Sequence, residues 1–102
     1  MLTFEDNVIR SAIKVFGEDL QEQMAIEECS ELIQAICHHR RGRESNIAEE
    51  IADVEIVLEQ LKLIHKCTEE TAAIRKEKIN RLHLRICEVW LNTAIKECAS
   101  TE

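Results

Sequence analysis

The sequence predicts an all-α protein. It has no proline and two glycines in 102 residues, and it is rich in Ala, Leu, Ile, Glu, Gln, Lys and Arg, the side chains that lose least on entering a helix. With so few breakers, the short polar stretches mark the joints, and four helices follow, forming a four-helix bundle-like domain. The first begins after Thr3, an N-cap with Asp6 three residues on, and runs to about Phe16, where Gly17 closes it. The second runs from about Leu20 to about Arg41 and ends in the polar stretch Arg40 to Asn46. Asn46 is expected to cap the third helix, with Glu49 completing a capping box, and that helix continues to about Lys66. Thr68 caps the fourth, whose first turn carries Glu69 and Glu70 where the helix dipole favours them. It extends at least to Leu91, and residues 98–102 are expected to fray. No linker, repeat or low-complexity tract interrupts the chain, so residues 1–102 read as one domain.

Twenty acids against thirteen bases give a formal charge of −7 at pH 7. That balance speaks against nucleic acid or an anionic membrane as partner, because such affinity comes from Lys and Arg neutralising phosphates. It leaves room for a nucleotide held through metal ions. No apolar run approaches the roughly 20 residues that span a bilayer, and Glu5 and Asp6 near the start break the basic-then-apolar pattern of a signal peptide. A cytoplasmic location is expected. Cys29, Cys37, Cys67, Cys87 and Cys98 are odd in number and form no C-x-x-C pair, so they read as reduced thiols, mostly small buried hydrophobes. Apolar content of 45% is generous for a chain this short, and self-association as an oligomer is the simplest outlet. Ile56, on an otherwise polar side of the third helix, is a candidate interface residue. Phe4, Phe16 and Trp90 read as core or interface.

Two helices depart from a plain amphipathic pattern. On a helix each residue advances about 100°, so with Glu28 at zero, Met24, Ala35 and Leu32 fall within about 40° on either side. Glu28 therefore sits inside the apolar arc, with Glu31 one turn away at its edge. The third helix repeats the arrangement: with Glu50 at zero, Val57, Leu61 and Val54 fall within about 40°, and Asp53 stands one turn on. A carboxylate carried into a partly buried face is costly unless its charge is compensated. If the short break at Gly42 makes the two helices antiparallel neighbours, Glu28, Glu31, Glu50 and Asp53 converge on a cation. Oxygen-only ligands select a hard ion, Mg²⁺ first and Mn²⁺ as a substitute.

The segments Glu27-Glu28-Cys29-Ser30-Glu31 and Glu50-Ile51-Ala52-Asp53 resemble the E-E-x-x-E and E-x-x-D signature of the MazG-like all-alpha nucleoside triphosphate pyrophosphohydrolases, a superfamily that includes the dimeric dUTPases and dCTP pyrophosphatases. The likeness covers roughly residues 16–86 and is strongest to the small single-domain bacterial and phage members. It implies Mg²⁺-dependent cleavage of a nucleoside triphosphate to monophosphate and pyrophosphate, in a homodimer or homotetramer. Carried over by position, the metal ligands are Glu28, Glu31, Glu50 and Asp53. The catalytic set is Glu27, Glu28 and Glu50, with Glu27 helping to bind metal or orient the attacking water. Lys78-Ile79-Asn80-Arg81 resembles a K-x-x-R segment that contacts phosphates, with Arg85 on the same basic edge and Asn80 a weaker candidate. Gln21 matches a position where many small members also carry glutamine, and it is a candidate contact to base or phosphate. The match stops at Cys87, and residues 87–102 prolong the last helix.

His38, His39, Arg40, Arg41 and Arg43 form a basic cluster that reads first as a solvated loop, with attraction of an anionic substrate the alternative. Two other classes compete with the enzyme reading. A di-iron carboxylate bundle needs Glu-x-x-His ligand pairs, which His38, His39, His65 and His83 do not supply. A non-catalytic helical interaction module fits the composition but leaves the twin carboxylate pairs without a role.

Overall fold

The computed structural model of the chain describes residues 1–100, which are all-α: four helices and no strand among the described residues. In order these are α1 (Phe4–Phe16), α2 (Glu18–Arg40), α3 (Ile47–Ile64) and α4 (Thr68–Ser100). They divide into two compact units, Met1–Cys67 and the segment from Thr68 onward. Among the described residues no helix is long and apolar enough to cross a membrane.

In the first unit, α1 opens on a complete capping box: Thr3 Oγ1 accepts from the Asp6 N–H, and Asp6 accepts from the Thr3 N–H. Gly17, at φ +91°, ends α1 and leads directly into α2. α2 and α3 make the main packing of the unit and run antiparallel. At one end His65 Nε2 lies 2.6 Å from the Glu22 carboxylate, and Glu28 and Glu31 meet Asp53 and Glu50 further along. The core is thin. Among the described residues its buried apolar side chains are Ala25 and Ala35 on α2 and Val57 on α3, small residues that let the two helices approach closely.

Both long helices of the first unit end in the same way. After α2, the Gly42 N–H donates to the His39 carbonyl and the Arg43 N–H to the His38 carbonyl, the paired bonds of a Schellman turn, with Gly42 left-handed at φ +75°. After α3, the Lys66 and Cys67 N–H groups donate to the Leu63 and Lys62 carbonyls, and here the left-handed residue, at φ +53°, is a lysine. The start of α3 differs from expectation. Asn46 makes no cap bond to the backbone, and its side-chain amide donates to the Glu49 carboxylate instead, so the expected capping box is absent. The bond uses the donor side of the amide, Nδ2, with a charged acceptor, and the amide oxygen that would cap the helix accepts from no backbone N–H.

The second unit is α4. It is helical through Ser100, so the expected fraying of residues 98–100 is not seen, and residues 101 and 102 lie outside the described residues. None of its side chains is buried. Trp90 is 68% exposed, and Phe4 and Phe16 on α1 are also exposed, so none of the three is a core residue of its own unit. The cysteines depart from expectation as well: Cys29 and Cys67 are half-buried and Cys37, Cys87 and Cys98 are exposed.

The two left-handed turns carry a prediction of opposite signs. A Cβ at Gly42 meets no atom within 4 Å, so Gly42→Ala costs only its backbone conformation, about 1 kcal/mol, whereas Lys66→Gly removes a similar strain. Chemical denaturation is expected to show the first variant less stable than the parent and the second more stable.

Candidate metal centre

Four carboxylates meet on the α2–α3 seam. Glu28 and Glu31 come from successive turns of α2, Glu50 and Asp53 from successive turns of α3, and one oxygen from each lies within 4.8 Å of all the others. The i, i+3 spacing on each helix is what allows this, since it stacks two side chains on one face, and antiparallel packing then brings the pairs together. Glu31 is exposed and the other three are half-buried, which leaves the group open on one side.

The electrostatics are unfavourable for ionised acids. Loss of hydration raises the Glu28 carboxyl to about 7, reinforced by the charges of Glu31, Asp53 and Glu50. Glu50 is raised for the same reasons, desolvation first and then the charges of Glu31 and Asp53. Glu28 Oε2 and Glu50 Oε2 are buried and have no hydrogen-bond partner. A buried acceptor without a donor is uncommon in native proteins. Two of them on facing helices, in a cluster made only of oxygens, match what a hard divalent cation requires. These residues fit such an ion.

Of the other residues singled out in the sequence, the structure brings some together and separates others. Glu27 is exposed on α2 and lies outside the group of four. Lys78, Arg81 and Arg85 line one shallow depression on α4 together with Leu82, so the basic edge of that helix is a single surface. Asn80 does not line it, standing about 200° round the helix from Lys78. Gln21 is 8% exposed, a buried amide on α2.

Gln60 escaped the sequence reading. It is 4% exposed, and its Oε1 has no hydrogen-bond partner. Its position seven residues beyond Asp53, on the same face, was the available signal, and Gln21 stands at the matching spacing before Glu28. Two buried amides thus occupy the α2–α3 seam about two turns from the carboxylates. No family model, curated protein or solved structure matches this chain.

Charge repulsion at this site makes stability depend on pH. Because the folded chain holds the Glu28 proton up to about 7 whereas an unfolded glutamate loses it near 4.5, the folded state binds more protons between these values, and stability falls as pH rises through that window. In EDTA the melting temperature is expected to be lower at about pH 8 than at about pH 5, and Glu28→Gln, uncharged throughout, is expected to flatten the difference. Millimolar Mg²⁺ should raise the melting temperature at the higher pH, since an ion that binds only the folded chain stabilises it. A pH-independent melting temperature in EDTA, or one that Mg²⁺ leaves unchanged, contradicts the description of the site.

Proposed function

We propose that the protein is a Mg²⁺-dependent nucleotide pyrophosphohydrolase of the MazG-like type, cleaving a nucleoside triphosphate, deoxy or ribo, to the monophosphate and pyrophosphate. The observation that carries this reading is the convergence of Glu28, Glu31, Glu50 and Asp53, with two buried carboxylate oxygens that lack any donor. The E-E-x-x-E and E-x-x-D motifs on these same residues support it. A storage or purely structural cation site would be expected to close around its ion, and this one is open on the Glu31 side.

In the proposed reaction a water oxygen bonds to the α-phosphorus, the bond from that phosphorus to the α–β bridging oxygen breaks, and its electron pair leaves with pyrophosphate. Glu28, Glu31, Glu50 and Asp53 would hold Mg²⁺, or Mn²⁺ in its place. Bound there, the ion supplies charge neutralisation at the phosphates and a lowered pKa for coordinated water. Glu27, exposed beside the cluster in sequence, is assigned to orient the attacking water and accept its proton. Lys78 and Arg81, with Arg85 on the same face of α4, are assigned to phosphates on the motif alone.

The same reading proposes a four-helix bundle-like domain that assembles as a homodimer or homotetramer, acting in the cytoplasm on free nucleotides rather than on nucleic acid. Exposed apolar side chains support assembly: Ile56 on α3 is 49% exposed, and on α4 Ile79, Leu82, Ile86 and Val89 are 40 to 62% exposed.

The test is release of pyrophosphate from a panel of deoxy and ribo nucleoside triphosphates with Mg²⁺, comparing the parent with Glu50→Gln. The parent is expected to turn over at least one of them, and the substitution to lower kcat by about 100-fold or more. Absence of turnover across the panel, or a Glu50→Gln variant as fast as the parent, rejects the enzyme.

A further inference from the structure

The cations of the first unit are unevenly placed. Met1–Cys67 holds fourteen acids and seven bases, yet three of those bases, Arg40, Arg41 and Arg43, fall within four consecutive positions at the α2–α3 turn, next to His38 and His39. All three arginines are exposed, and among the described residues none is ion-paired, although Glu44 lies in the same turn. The turn itself is held: the Schellman bonds from Gly42 to His39, at 3.0 Å, and from Arg43 to His38, at 2.9 Å, fix the backbone that carries the arginines. Exposed and without an ion-pair partner, the three guanidiniums are open to an anion from solution.

Their position relative to the carboxylates gives that availability a use. Glu50 is in the first turn of α3, about 5 Å along the helix axis from its first residue, and Arg40 stands about 13 Å beyond Glu31 along α2, so the basic turn lies at the Glu31–Glu50 end of the seam. The other end of the seam has the unit's remaining bases, Arg10, Lys14, Lys62 and exposed Lys66, spread over α1, α3 and the turn after it rather than gathered in one turn. There the seam closes on buried Gln21 and Gln60, Lys62 is bonded to Glu59 at 2.5 Å, and Arg10 and Lys14 lie out against Glu18, Leu63 and Ile64.

We infer that Arg40, Arg41 and Arg43 bind the terminal phosphates of a polyphosphate chain, the β- and γ-phosphates of the triphosphate, and so orient the nucleotide along the α2–α3 seam with its leaving pyrophosphate toward the Gly42 turn. The inference rests on the proposed pyrophosphohydrolase reading. Arginine suits the task because its planar guanidinium offers paired donors to phosphate oxygens and stays charged at every relevant pH. As the α–β bond breaks, the new negative charge on pyrophosphate develops beside these groups, so they favour cleavage as well as binding.

Two readouts on the full-length chain test this, using Arg41→Gln, Arg43→Gln, their double variant and the corresponding lysine substitutions. Neutralisation is expected to lower kcat/KM for a triphosphate by about 10- to 100-fold and that for the diphosphate of the same base, which keeps only the β-phosphate contact, by a smaller factor, with lysine restoring part of the loss. In parallel, magnesium pyrophosphate is expected to raise the melting temperature of the parent and not of the double variant. If the parent hydrolyses triphosphates and the variants keep its preference for triphosphate over diphosphate, the phosphate site is wrong and the enzyme reading stands. If the parent hydrolyses nothing, the enzyme reading falls and the pyrophosphate shift decides: dependence on the arginines upholds the anion site, and no shift, or one that the double variant retains, overturns it.

Discussion

Mutual repulsion among four carboxylates is the constraint around which the first unit is arranged. Glu28, Glu31, Glu50 and Asp53 are brought within 4.8 Å by the two helices that make most of its packing, so the α2–α3 seam cannot close without confronting their charge. Glu28 responds by holding its proton up to about 7. Small apolar residues then do the remaining work of the seam. Ala25, Ala35 and Val57 allow close approach but bury little area, so the unit has no large hydrophobic reserve against that repulsion. A cation that neutralises the four acids would thus serve stability and the proposed chemistry together.

The polar groups along the seam give it a direction. Buried amides of Gln21 and Gln60 mark one end, the carboxylates follow, and the arginine-rich Gly42 turn lies at the other. The overall charge of −7 conceals this, because the acid excess belongs entirely to Met1–Cys67 while the segment from Thr68 onward carries six acids and six bases. Net charge describes the bulk field of a protein, and the placement of a few residues decides which anions it can hold.

Much of this was legible in the sequence, for identifiable reasons. The all-α class followed from the lack of proline, and the carboxylate convergence followed from the 100° advance per residue applied to Glu28 and Glu50. α1 was legible to its ends because Thr3, Asp6 and Gly17 each act locally. The Asn46 cap was not legible because an amide both donates and accepts, and a capping pattern does not say which of its atoms is used. Gln21 and Gln60 were not recognised as buried because a polar side chain on a seam face looks the same in sequence as one on a rim. The exposure of Cys37, Cys87, Trp90 and the apolar residues of α4 was equally hidden, since periodicity shows that a face is apolar and does not show what covers it.

The most direct test of the central claim is binding of the ion itself. Titration of the parent chain with Mn²⁺ above neutral pH, followed by electron paramagnetic resonance of the free ion, is expected to show saturable binding that Mg²⁺ displaces and that Glu28→Gln and Asp53→Asn each weaken severely. Absence of saturable binding, or binding that both variants retain at parental strength, would contradict the account.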